Sequence, residues 1–78
     1  MKVSLKLPLF GMNMEQATIV KWRKRAGERF AKGECLYEVE TEKVTSEVEA
    51  PCDGLLLEIV AQEEQTVDVG AIVCHIEA

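Results

Sequence analysis

The chain has 78 residues, 47% of them hydrophobic, so it is expected to fold as one domain, residues 1–78, with a modest core. That size disfavours an enzyme built around a deep cleft and favours a binding or carrier module. A net charge of −5 argues against nucleic acid as a partner, because phosphate recognition needs clustered lysine and arginine.

The charge is unevenly spread. Lys21, Arg23, Lys24, Arg25, Arg29 and Lys32 crowd the first half. Beyond Lys32 the only basic residue is Lys43, set among Glu38, Glu40, Glu42, Glu47 and Glu49. No apolar run approaches the roughly 20 residues that span a bilayer, so no membrane partner is expected. Met1–Phe10 alternates and does not read as a signal peptide. Cys35, Cys52 and Cys74 are odd in number and lack a CxxC spacing. They read as reduced, partly buried small residues, with neither a disulfide framework nor a metal site.

In chain order, Val3, Leu5 and Leu7 alternate with Ser4 and Lys6, the period-two pattern of a half-buried strand that Pro8 ends. Leu9–Met14, with Gly11 and Asn13, reads as a loop. The stretch from Glu15 to Lys32 is ambiguous. Trp22, Ala26 and Phe30 fall at helical spacing, yet Thr18-Ile19-Val20 is β-branched and Gly27 and Gly33 interrupt it.

An internal repeat decides for strands. An offset of 37, which takes Gly33 to Gly70, also takes Ala17 to Gly54 and brings apolar positions together. Ile19 meets Leu56, Val20 meets Leu57, Trp22 meets Ile59 and Phe30 meets Val67. Leu36 meets Val73, Tyr37 meets Cys74 and Val39 meets Ile76. The first strand joins at a different offset, with Leu5-Lys6-Leu7-Pro8 against Val48-Glu49-Ala50-Pro51. The second copy is plainly strand-like, in Leu55–Val60 and Ile72–Ile76, so Thr18–Arg23 is expected to be a strand too. About four short strands per half, neither half able to bury its own apolar face, predict an all-β sandwich or flattened barrel. Its architecture would be a barrel-sandwich hybrid of two four-stranded antiparallel sheets with internal quasi-twofold symmetry.

The halves meet in one expected hairpin, Cys35–Thr41 and Val44–Ala50, joined by Glu42-Lys43. Asn-Gly or Asp-Gly would be the usual turn, so something besides turn propensity selects this pair. A lysine at such a tip projects from a rigid base with no wall beside it, and the neighbouring glutamates favour its ammonium form. A solvated turn lysine is the plainer alternative on spacing alone. His75 is the sole histidine, aligns with Glu38 and reads as a sheet-surface residue. Trp22 reads as core or rim, its indole N–H in need of a partner. Met12 and Met14 read as loop and core packing.

Several segments together resemble the lipoyl domains of acyltransferase components of 2-oxo acid dehydrogenase complexes. They are Gly11-x-x-Met14-Glu15, Thr18-Ile19-Val20-Lys21-Trp22, Gly27-Glu28, Gly33-Glu34, Glu38–Val44, Glu47–Pro51 and Asp53-Gly54. The family's usual tip is Asp-Lys-Ala where this chain has Glu42-Lys43-Val44, and it often has glycine in place of Ala17. The resemblance implies lipoic acid joined by an amide to Lys43, flanked by Glu42 and Val44, as a swinging arm and not an enzyme in its own right. A longer parent protein would be a dihydrolipoyllysine-residue acyltransferase. The implied partners are a lipoate ligase or lipoyl transferase, a thiamine-diphosphate-dependent decarboxylase, the acyltransferase core and dihydrolipoamide dehydrogenase. Their contacts are expected at Glu40, Thr41 and Glu47 and at Phe10, Gly11, Met12 and Asn13. The domain is expected to be monomeric, in bacterial cytoplasm or mitochondrial matrix. The alternatives are a biotin carrier, whose lysine is normally flanked by methionines, and an unmodified hairpin adaptor.

Overall fold

A computed structural model describes residues 1–8, 15–42 and 44–78. The described residues form eight strands: β1 (Lys2–Lys6), β2 (Gln16–Trp22), β3 (Arg29–Phe30), β4 (Cys35–Glu40), β5 (Thr45–Glu49), β6 (Gly54–Ile59), β7 (Thr66–Asp68) and β8 (Ile72–Glu77). They make two four-stranded sheets, ordered β1-β8-β6-β3 and β5-β4-β2-β7, with every pairing antiparallel. The expected architecture holds. Exchanging the halves turns one sheet order into the other, which is the quasi-twofold symmetry that the repeat predicts. The strand reading of Thr18–Arg23 also holds, with bounds one to two residues earlier.

The symmetry extends to single hydrogen bonds. The Arg23 amide donates to the Leu36 carbonyl at 2.8 Å, and 37 residues on the Val60 amide donates to Val73 at 2.9 Å. Ile19 N–H to Gln65 O and Leu56 N–H to Glu28 O, both 2.9 Å, are likewise counterparts. So are the β-bulges, which fall between Ile19 and Lys21 and between Leu56 and Glu58. A bulge adds a residue to one strand and shifts the phase of its side chains. Val20 and Leu57, the apolar pair matched by the repeat, sit in those bulges and face solvent.

The core lies between the sheets. Ile19, Leu36, Val39, Leu56, Val73 and Ile76 are fully buried and form three symmetry-related pairs. Each such side chain contributes roughly 1.5–3 kcal/mol by leaving water. Trp22 closes the waist. Its indole N–H donates to the Ala61 carbonyl at 2.7 Å, and its ring lies 4.5 Å from that of Tyr37. The two small residues Ala17 and Gly54 sit opposite Val67 and Phe30 respectively. A β-carbon on Gly54 would stand 2.7 Å from the Glu77 carbonyl and 2.9 Å from the Phe30 ring. The larger Phe30 thus takes the space that alanine occupies in the other half.

The chain ends also meet. The Ala78 amide donates to the Met1 carbonyl at 3.0 Å, and the Met1 ammonium reaches Glu77 Oε1 at 2.8 Å. The twofold axis exchanges this pole with the β4–β5 hairpin.

Candidate functional site

The chain passes from the first repeat to the second through the β4–β5 hairpin. Its register runs Cys35↔Glu49, Tyr37↔Val48, Glu38↔Glu47, Val39↔Ser46 and Glu40↔Thr45. The strands end one residue short of the expected bounds on the side of the tip, at Glu40 and Thr45. The Thr41 amide then donates to the Val44 carbonyl at 2.8 Å, closing a two-residue connection. The Thr41 hydroxyl reinforces it, donating to that same carbonyl at 3.2 Å and accepting from the Val44 amide at 3.3 Å. A side chain in the flanking position thus supplies closure that Glu42-Lys43 would not provide as turn formers. The hydroxyl placed among the partner contacts is therefore engaged within the loop.

Lys43, and with it Phe10, Gly11, Met12 and Asn13, lies outside the described residues. Its neighbours Glu42 and Val44 are both exposed, Val44 at 55%. Both flanks of position 43 are thus open to solvent. Glu40 and Glu47 are exposed on the hairpin beneath.

The electrostatics of the hairpin do not serve its own stability. Glu38 and Glu47 are directly opposite, an arrangement that weakens a sheet. Glu38 is matched by Arg23, whose Nε contacts its Oε2, while Glu40, Glu42, Glu47 and Glu49 make no ion pair among the described residues. The sequence pattern gave no sign of Arg23 as the counter-ion. It depends on the β2 bulge and the β2–β4 register. Cys35 shares the hairpin. Burial first, then the charges of Glu47 and Glu38, push its thiol up from 9.0. It stays a thiol at neutral pH, and a thiol is a poor nucleophile for disulfide exchange.

The other candidates take structural roles. The three cysteines are free, with Cys74 buried and Cys35 and Cys52 partly so. His75 lies on the outer face of β8, where its Nδ1 shares a 2.9 Å hydrogen bond with Ser4 Oγ. Glu58 stands 3.9 Å from its other ring nitrogen. No group of three metal-binding side chains occurs among the described residues.

Comparison with known proteins agrees with this geometry. The family model described as "Biotin-requiring enzyme" (Biotin_lipoyl) matches residues 3–76. The chain is 44% identical over 78 residues to the dihydrolipoyllysine-residue succinyltransferase component of the 2-oxoglutarate dehydrogenase complex of Bartonella vinsonii, covering all of this chain and 19% of that one. It is 40% identical over 76 residues to the acetyltransferase component of the pyruvate dehydrogenase complex of Corynebacterium glutamicum, covering 97% of this chain and 11% of that one. The chain thus spans a fifth or less of these relatives. Among solved structures, the lipoyl domain of the 2-oxoglutarate dehydrogenase complex from Azotobacter vinelandii superposes with a TM-score of 0.79. It is 33% identical, and the match covers 97% of this chain and 96% of that one. A long-chain acyl-CoA carboxylase superposes at 0.81 with 17% identity, covering 97% of this chain and 7% of that one, and shares the fold alone. With a family model spanning most of its length and a full-length lipoyl-domain counterpart, the chain belongs to the biotin/lipoyl attachment family as a lipoyl-type carrier domain.

Proposed function

We propose that Lys43 is the attachment point and that lipoate is the group it carries. The observation that carries this reading is the closed two-residue connection at the seam of the repeat, Thr41 to Val44, which brackets this lysine between exposed neighbours. The relatives' names favour lipoate over biotin. So do the flanks Glu42 and Val44, where a biotin carrier would have methionines.

When bound, the dithiolane of lipoate supplies acyl and electron transfer, and the protein supplies position and recognition. The residues of this chain do the following. The paired β4 and β5, with the Thr41 closure, hold Thr41 and Val44 together on either side of Glu42-Lys43. Glu40, Glu42 and Glu47 present negative charge to an incoming partner, which speeds and orients encounter. Partners of this kind would be a lipoate ligase or lipoyl transferase, a thiamine-diphosphate-dependent decarboxylase, an acyltransferase core and dihydrolipoamide dehydrogenase. Tethering raises the arm's effective concentration at each of them.

The test is intact mass with peptide mapping after incubation with lipoate, ATP and a lipoate ligase, beside Lys43→Ala and a parallel biotin reaction. A lipoyl adduct on Lys43 that disappears in the variant is expected. An adduct from biotin alone, or lipoate on another residue, would overturn the assignment.

A further inference from the structure

The quasi-symmetry provides an internal control on charge. Positions 37 apart meet the same demands of backbone, pairing and packing, so what the fold requires of one it requires of the other. Lys21, Arg23, Lys24, Arg25, Arg29 and Lys32 have as counterparts Glu58, Val60, Ala61, Gln62, Thr66 and Val69. None of these is basic. The fold therefore does not explain the basic cluster, and the carrier reading does not use it.

Two of the six cations are neutralised within the chain. Arg23 pairs with Glu38, and Lys24 Nζ lies 2.8 Å from Glu34 Oε2. Lys21, Arg25, Arg29 and Lys32 make no ion pair among the described residues. Lys21 and Arg25, with Lys24, border a surface groove of about 460 Å³ at the waist. Trp22 and its counterpart Ile59 give the groove an apolar lining, and Gln62 and Glu63 line it as well. Glu63 is itself engaged, its Oε2 accepting from the Trp22 amide at 3.1 Å. The groove lies where the halves meet, apart from the hairpin tip.

We propose that this groove docks an acidic polypeptide segment of a partner protein, through Lys21 and Arg25 on its carboxylates and Trp22 and Ile59 on an interleaved apolar side chain. The charge is complementary to such a segment. A peptide with acidic and apolar side chains fits better than a phosphate-bearing ligand, because cations and the apolar Trp22 and Ile59 line the same groove. A fold-equivalent groove without the cations would hold no anion, so the asymmetry between halves is what makes the site.

Trp22 is the only tryptophan and reports directly from the groove. The full chain is titrated at low salt with a short blocked peptide alternating glutamate and leucine, following Trp22 fluorescence. A saturable change is expected, weakening several-fold as salt shortens the screening length from about 30 Å to about 8 Å. Lys21→Glu with Arg25→Glu should bind at least about tenfold more weakly, with an unchanged circular dichroism spectrum. Arg29→Glu with Lys32→Glu, which changes net charge equally but lies outside the groove, should bind within about twofold of the parent. The proposal is overturned if no saturable change occurs, if both double variants lose binding equally, or if a control peptide with glutamine in place of each glutamate, or inorganic phosphate, binds as well as the acidic peptide. None of these outcomes depends on lipoylation of Lys43.

Discussion

The first half of the chain and the second reach the same backbone by different chemistry. Where the first half places Phe30 in its short strand, the second makes room with Gly54; where the second has Val67, the first has Ala17. Volume is conserved across the pair of positions and not at each one. The same holds for the turns. Gly27 adopts φ +96°, and its counterpart Glu64 takes the same left-handed region at φ 69° as a non-glycine residue. Glu64 is held there by the hydrogen bond its N–H donates to the Ile19 carbonyl at 2.6 Å, the counterpart of Gly27 N–H to Leu56 O at 2.7 Å. Pairing across the halves thus fixes conformation strongly enough to override local preference, while surface charge is left free to diverge.

The core pairs test this equivalence most severely. Ile19→Ala and Leu56→Ala should each cost about 2–5 kcal/mol, and the two costs should agree within about 1 kcal/mol by denaturant unfolding. A large disagreement would mean that one half carries the stability.

Next comes alkaline pH, which probes the counterparts Tyr37 and Cys74. Burial pushes the Cys74 thiol up from 9.0 to about 11. Burial first, and then the neighbouring Cys74, pushes the Tyr37 phenol up from 10.0. Both groups lose protons more readily when unfolded. The stability they contribute is whole below pH 9 and declines as pH rises toward 11, by roughly 2–3 kcal/mol for Cys74 alone. Urea midpoints at pH 8 and pH 10.5 should show the fall, and Cys74→Ala should reduce the slope. A midpoint flat over that range would exclude the effect.

Gly54→Ala should cost about 1–3 kcal/mol through the Glu77 and Phe30 contacts. Adding Phe30→Val, which copies the other half, should recover part of it. If the two costs simply add in a double-mutant cycle, the compensation does not exist. The smallest effect has the opposite sign. Glu64→Gly should stabilise by up to about 1 kcal/mol, relief of left-handed strain being offset by glycine's greater entropy when unfolded. Thermal melting would register it, and a lowered Tm would refute the strain.

Much of this was legible from residue patterns alone. The repeat overruled a helical spacing at Trp22, Ala26 and Phe30 because that stretch matches a second copy that is plainly strand-like, whereas apolar spacing alone reports only which side chains want burial. The repeat also located Lys43 at the seam. It could not reveal which side of the sheet an apolar residue takes beyond a bulge, which is why Val20 and Leu57 match as apolar positions yet face water. Nor could it show that Thr41 spends its hydroxyl on the loop, that Arg23 neutralises Glu38, or that Trp22 and Ile59 line one groove. Each of those depends on contacts between strands distant in sequence. Placement of Lys43 and of Phe10–Asn13 lies outside the described residues.

The contact between the chain ends has a topological meaning. Thr41 and Ala78 are counterparts, as are Val44 and Met1, and the bond from Thr41 N–H to Val44 O recurs as Ala78 N–H to Met1 O. The backbone thus follows a ring of two arcs, residues 1–41 and 44–78, alike in strand order and unequal in length, cut once. A two-residue bridge between Ala78 and Met1 would mend the cut, and a new opening elsewhere would leave the ring intact. A circular permutant opened at the Gln62–Glu63 loop should therefore fold to the same pair of sheets.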